Sequence, residues 1–168
     1  NKNYKRAITY YGSVNRMDIS NEKLPEYYFR YGHSQFLKGD PQKALMLFSE
    51  IKDIDTDYTS RALYYYSHIA YDLKMYQTAL DGFKRLKNDE TFGSVVPFYI
   101  VQILYLQKDY DGILSIAPDL LKSAGKMRSV ELYRFIGDSW YNKGNYKEAI
   151  DYLEKYSAGA KASGREDK

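Results

Sequence analysis

The only two histidines of the chain, His33 and His68, stand 35 residues apart, and Asp72 follows His68 by one helical turn. Imidazole and carboxylate side chains are metal ligands, but a zinc site takes three or four of them, and these three are a bare minimum. No metal site is assigned. The better reading is a titratable wall, which would repel a cationic ligand once the imidazoles protonate below pH 7. Gly137-Asp138-Ser139 has the composition of an esterase nucleophile turn. Ser139, however, lies in a helical pattern rather than after a strand, and no histidine follows His68 to act as its base. Asp53, Asp55 and Asp57 share one short connection, without the glycine and terminal glutamate of a calcium loop, and read as a solvated turn. There is no Gly-rich phosphate loop and no HExxH, and the absence of cysteine excludes disulfides, thiolate metal sites and a cysteine nucleophile. The chain is therefore expected to be no enzyme and to carry no cofactor.

The elements that position these residues follow from a repeat. Asn3-Tyr4-Lys5-x-Ala7-Ile8 returns as Asn145-Tyr146-Lys147-x-Ala149-Ile150. Between them, alignment on the same landmark, an aromatic with a small residue three places on, gives Pro41 with Ala44, Tyr76 with Ala79, and Tyr110 with Ile113. The steps between Ala7, Ala44, Ala79, Ile113 and Ala149 are 37, 35, 34 and 36 residues, a period that signals a repeat architecture. Each period carries two helical spacings. Tyr28, Tyr31 and Gln35 lie on one face of the first segment, and Ala44, Leu47 or Phe48, and Ile51 on one face of the second. Gly39 can end a helix in the left-handed conformation, Asp40 can cap the next and Pro41 suits its first turn; Gly144 and Asn145 repeat the signal. No strand alternation competes.

Composition agrees with a folded chain. Apolar residues at 44% and charged residues at 28% are ordinary for a globular protein of 168 residues and argue against disorder throughout. The 20 tyrosines are unusual, and their apolar rings with polar tips favour half-buried positions and recognition surfaces. The net charge of +3 comes from basic and acidic residues that are interspersed, which makes no demand for a nucleic acid. The most apolar run, Val95 to Leu106, is too short to span a bilayer and is broken by Pro97 and Gln102, so no membrane insertion is expected.

The pattern resembles the tetratricopeptide repeat, a helix-turn-helix unit of about 34 residues. The family's small, small and aromatic positions are filled by Gly32, Ala44 and Phe48, then by Ser67, Ala79 and Phe83, and near the end by Gly137, Ala149 and Leu153. Val101, Ile113 and Ala117 depart from it, with large and small residues exchanged in the last two positions. The resemblance implies an all-α, right-handed solenoid of antiparallel helix pairs over residues 1–157. Within it, 1–17 would be the second helix of a truncated repeat, 25–58 the first full repeat, 59–93 the second, 94–128 a degenerate third and 129–157 a fourth. Residues 158–168, small and polar, read as a tail or linker. The first landmark lacks a leading helix, which suggests a piece of a longer array.

In this family the first helix of each pair lines the concave wall. Its groove-facing places are held here by Phe29, Tyr64, Phe98 and Arg134, by His33, His68, Gln102 and Asp138, and by Phe36, Tyr71, Tyr105 and Tyr141. The last four form an aromatic ladder in register, and the set is the candidate peptide-binding groove. Packing between repeats is the competing role for any one of these rings. The lysine and asparagine of the carboxylate-clamp members are absent at the matching places, which argues against recognition of chaperone tails. The resemblance implies a protein-interaction scaffold with a peptide or protein partner, and the composition fits periplasmic or outer-membrane-associated arrays of Gram-negative bacteria. Self-association through exposed repeat ends is a further expectation. The alternative is a pentatricopeptide-type reader of single-stranded RNA, against which Glu26, Arg61, Val95 and Glu131 show no consistent positive charge.

Overall fold

The computed structural model describes residues 2–162. The chain is all-helical, with 75% of residues in helices and no strand among the described residues. The elements are α1 (Lys2–Ser13), a 3₁₀ turn (Arg16–Asp18), α2 (Leu24–Lys38), α3 (Pro41–Ser49), α4 (Thr59–Asp72), α5 (Tyr76–Arg85), α6 (Val96–Leu106), α7 (Tyr110–Ser123), α8 (Lys126–Asn142) and α9 (Tyr146–Ala162). Each landmark from the second onward opens a helix: Pro41, Tyr76, Tyr110 and Tyr146 are the first residues of α3, α5, α7 and α9. The paired small or branched residues Ala44, Ala79, Ile113 and Ala149 are all buried. The period in the sequence is thus a period of helix starts and close contacts.

The turns inside the helix pairs explain why the phrase recurs. Gly39 (φ 94°), Lys74 (φ 61°), Lys108 (φ 58°) and Gly144 (φ 79°) take the left-handed conformation at equivalent turns, so a tight reversal is made every period. The residue after the turn then caps the second helix: the Asp40 carboxylate accepts from Lys43 N at 3.0 Å and Asp109 from Gly112 N at 2.9 Å. Lysine carries a Cβ into a region that only glycine enters without strain. Lys74→Gly and Lys108→Gly are therefore each expected to stabilise the fold by about 0.5–1 kcal/mol. A urea midpoint that rises with an unchanged slope would show it, and a fall would contradict the turn geometry.

Two compact units divide between Val96 and Pro97. In the first, α2 packs on α1, α3 on α2, α4 on α3 and α5 on α4. Its core holds Ala44, Phe48, Ile51, Ala62 and Ile69, wrapped by half-buried rings that include Tyr28, Phe29, Phe36, Tyr58 and Tyr65. Gly32 lets α2 and α3 close, because a Cβ there would stand 3.0 Å from the Phe48 ring. In the second unit α8 packs on both α7 and α9. Leu132, Phe135 and Ile136 of α8 are buried, as are Ile113 and Ala117 of α7 and Ala149 of α9. The departure at Val101, Ile113 and Ala117 is accommodated with all three fully buried, the smaller Ala117 standing where the other pairs place a large side chain.

Some boundaries differ from the expected ones. Residues 158–162, assigned to a tail, continue α9, because Ala160 is buried and Gly159 lies against Val130. Residues 163–168 lie outside the described residues. Helix α8 begins at Lys126, before the expected boundary at 129, and α1 ends at Ser13 rather than near 17. Pro97 sits in the first turn of α6, where a missing N–H costs nothing, and Gln102 continues the same helix. Among the described residues no helix is long and apolar enough to cross a membrane.

Candidate functional site

In the first unit the anticipated wall residues Phe29, His33 and Phe36 lie on α2, and Tyr64, His68 and Tyr71 on α4, all half-buried. Tyr65, which the sequence reading left out, sits among them. Its ring lies parallel to Phe48 at 5.4 Å and meets His33 at 5.3 Å and Phe36 at 5.5 Å edge to face. His33 is also stacked on Phe29 at 6.1 Å, and burial pushes its imidazole below the ordinary histidine range. Helix α4 turns His68 toward its own Asp72, whose carboxylate oxygen is 3.3 Å from Nδ1, and toward the edge of Phe36. Among the described residues no group of three histidine, aspartate or glutamate side chains is arranged to hold a metal ion.

A regularity in the structure changes the meaning of three of these rings. Phe29 is met by Tyr58 at 5.3 Å, and Tyr64 is covered by Phe92 at 4.3 Å with the planes 9° apart. In the second unit Phe98 carries the Arg128 guanidinium at 4.6 Å. The covering group comes 29, 28 and 30 residues after the ring it covers, from the segment that enters the following first helix. Part of the surface of each of these three aromatics is thus covered by a neighbouring side chain. The signal was present as a spacing, but tyrosine, phenylalanine and arginine share no obvious letter. Phe92 is presented by an Asp89 turn: its carboxylate accepts from Thr91 N at 2.9 Å and Phe92 N at 3.0 Å. Ser60 contributes most to holding that carboxyl below its usual range, with the two backbone N–H groups adding to it.

In the second unit the anticipated residues include polar and charged groups that pair with one another. Tyr105 donates from its hydroxyl to Asp138 Oδ2 at 2.7 Å, and the Arg134 guanidinium lies 5.7 Å from the Tyr105 ring and 5.0 Å from Phe135. Arg134 is paired with Glu131 at 3.4 Å. Gln102 is half-buried on α6, and Tyr141 is exposed, with its ring edge to face with Tyr146 at 5.5 Å. Tyr71 meets Tyr76 in the same way at 6.1 Å in the first unit, so both tyrosines lean on the first residue of their own second helix.

The Asp138 bond, followed by burial, pushes the Tyr105 hydroxyl up to about 12. A raised folded value means that this contribution is intact below pH 10 and is lost as pH rises toward 12. Tyr105→Phe is expected to cost about 1 kcal/mol at neutral pH, a half-exposed bond being screened by water, and to remove that alkaline segment of the stability profile. Chemical denaturation at about pH 8, below the transition, and about pH 11, inside it, checks both. Equal losses at the two values would contradict the bond.

Two of the rejected sites are explained by their surroundings. Ser139 is fully buried and its hydroxyl donates to Phe135 O at 2.6 Å, so it is no accessible nucleophile. Asp53 is more than a solvated turn residue: Lys52 and Arg85 both pair with it, Arg85 Nη1 at 2.7 Å, and their hydrogen bonds hold its carboxyl below the usual range.

This arrangement of helix pairs, with left-handed turns at each period and small-residue contacts between partners, is the tetratricopeptide-repeat fold. Among solved structures the chain is similar to MamA, at 18% identity, with 98% of this chain and 93% of that one covered and a TM-score of 0.73. A second MamA structure, labelled MSR-1, matches at 14% identity, with 96% of this chain and 90% of that one covered, also at 0.73. YrrB, described as a TPR protein with an unusual peptide-binding site, matches at 16% identity over 94% of this chain and 78% of that one, with a TM-score of 0.75. Identities this low establish the fold. No family model matches the sequence, and no curated protein does.

Proposed function

We propose that the chain is a non-catalytic interaction scaffold whose first helices bind a peptide segment or a partner protein. The observation that carries this reading is the state of the first-helix faces. After the second helices have buried their inner faces, α2, α4, α6 and α8 still hold rings and polar groups half in water. Such side chains offer contact area with little rotamer entropy left to lose. The fold shared with YrrB supports a peptide partner, since that protein is described as having a peptide-binding site.

Affinity capture with the wild-type chain beside Tyr71→Ala and Tyr141→Ala tests the aromatic wall. Tyr141 is 59% exposed, so its truncation removes contact area without opening the core. A purified partner that loses about tenfold in affinity would support the wall. Equal retention by all three proteins would move binding elsewhere.

A further inference from the structure

Two kinds of neighbour surround Tyr64. Within the helices of the first unit it meets Tyr65 at 5.9 Å, His68 at 6.1 Å and Phe83 at 6.3 Å, all at steep angles, and these contacts fix its ring in place. Phe92 differs in both geometry and origin. It lies face to face on the Tyr64 ring at 4.3 Å, and it comes from the connection between α5 and α6 rather than from a helix. Lys87, Asn88, Glu90, Thr91 and Ser94 around it are exposed, and Phe92 itself is half-buried. One side chain organises this segment. The Asp89 carboxylate accepts from Thr91 N at 2.9 Å and from Phe92 N at 3.0 Å, while the Ser60 hydroxyl donates to it from the first turn of α4. Gly93 closes the turn by donating to Asp89 O at 2.8 Å, and a Cβ at Gly93 would stand only 2.6 Å from that oxygen.

We propose that Phe92 is a displaceable cover of Tyr64, latched by Asp89, and that an aromatic side chain of a partner protein exchanges with it on the same ring face. The molecule itself shows which group fits there, because one of its own rings is seated on Tyr64 with the planes 9° apart. Stacked rings attract beyond the area they bury, so a partner's ring recovers what Phe92 gives up. The cover stands on an exposed connection, the kind of segment that opens at the lowest free energy. While it is closed, a partner's apparent affinity is reduced by the fraction of molecules in which Tyr64 is open, which makes the pair an autoinhibitory contact. Nucleobases also stack on open rings, but the covering segment contributes Asp89 and Glu90, whose charges oppose a phosphate chain. The proposal rests on the reading that the first helices bind a partner, and it adds how one of their rings is kept closed.

Titration of the whole chain with N-acetyltryptophanamide, beside N-acetylleucinamide as its non-aromatic twin, tests the exchange through NMR shifts. Phe92→Ala is expected to bind the aromatic probe about tenfold more tightly than the wild type and to leave the leucine probe unchanged. Asp89→Ala keeps the ring but frees its mount, and should give part of that gain. Tyr64→Leu added to Phe92→Ala should remove it. Circular dichroism confirms the wild-type helical signal before binding is read; should Phe92→Ala lose it, Asp89→Ala decides, since it deletes no apolar surface. An equal gain for both probes would mark the vacated space as a plain apolar void and overturn the stack. No gain in either variant would make Phe92 fixed packing and overturn the cover, while capture with Tyr71→Ala and Tyr141→Ala still decides the scaffold reading separately. A gain in Phe92→Ala without one in Asp89→Ala would overturn the latch, and a gain that survives Tyr64→Leu would overturn Tyr64 as the surface exposed. Adenosine monophosphate binding more tightly than the tryptophan probe would overturn the protein partner.

Discussion

Replacing Phe48 by alanine is expected to cost about 3–5 kcal/mol, the range for truncating a buried aromatic. The ring is fully buried, lies parallel to Tyr65 at 5.4 Å and touches Phe29 at 5.8 Å. It also fills the space that Gly32 leaves open on α2. Collapse of Phe29 or Tyr65 into the void would strain their contacts with His33, because both rings rest on Phe48 and also meet His33. Against a typical net stability of about 5–15 kcal/mol, the loss is a large fraction. Phe48→Leu keeps most of the volume and should cost less than about half as much. Urea denaturation followed by circular dichroism reads both, and an alanine cost below about 1 kcal/mol would show that the ring is not the packing centre of the first unit.

Gly82→Ala is the second large effect, at about 1–3 kcal/mol. A Cβ at this position of α5 would stand 1.9 Å from Ser67 Oγ and 3.1 Å from Ser67 Cβ on α4. The hydroxyl cannot step aside freely, because it is fully buried and donates to Leu63 O at 2.7 Å. To admit the methyl, either that bond breaks or the two helices part. Ser67→Ala removes the closer atom, so the double variant should be less destabilised than the sum of the two single ones. A coupling of about 0.5–3 kcal/mol is expected for residues in contact. Strict additivity would mean that α4 and α5 do not approach at this point.

The same pair shows how the repeat tolerates variation. In the first full repeat the missing side chain is on the first helix, where Gly32 faces Phe48. In the next, serine stands at the place equivalent to Gly32, and the glycine has moved across to the second helix as Gly82. What is kept is the helix separation rather than the letter, since small residues at a crossing are what let helices pack near the lower end of the usual spacing.

Much of this protein was written in local order along the chain. The period at Ala44, Ala79, Ile113 and Ala149, the turn at Gly39 and the cap at Asp40 act over a few residues, so composition and spacing were enough to imply helix pairs and to place where the second helices start. The left-handed turns at Lys74 and Lys108 were not legible, because lysine announces no such conformation and adopts it only where the surrounding packing compensates for the strain. The continuation of α9 to Ala162 escaped for a related reason: Ala160 and Gly159 look like linker residues until Val130 is brought against them. The candidate groove residues could be enumerated from register, but their partners could not. That Phe92 covers Tyr64 and that Asp138 receives Tyr105 are facts of distance between segments about 30 residues apart. A sequence specifies which faces are apolar; which side chains meet across those faces is decided only when the helices have packed.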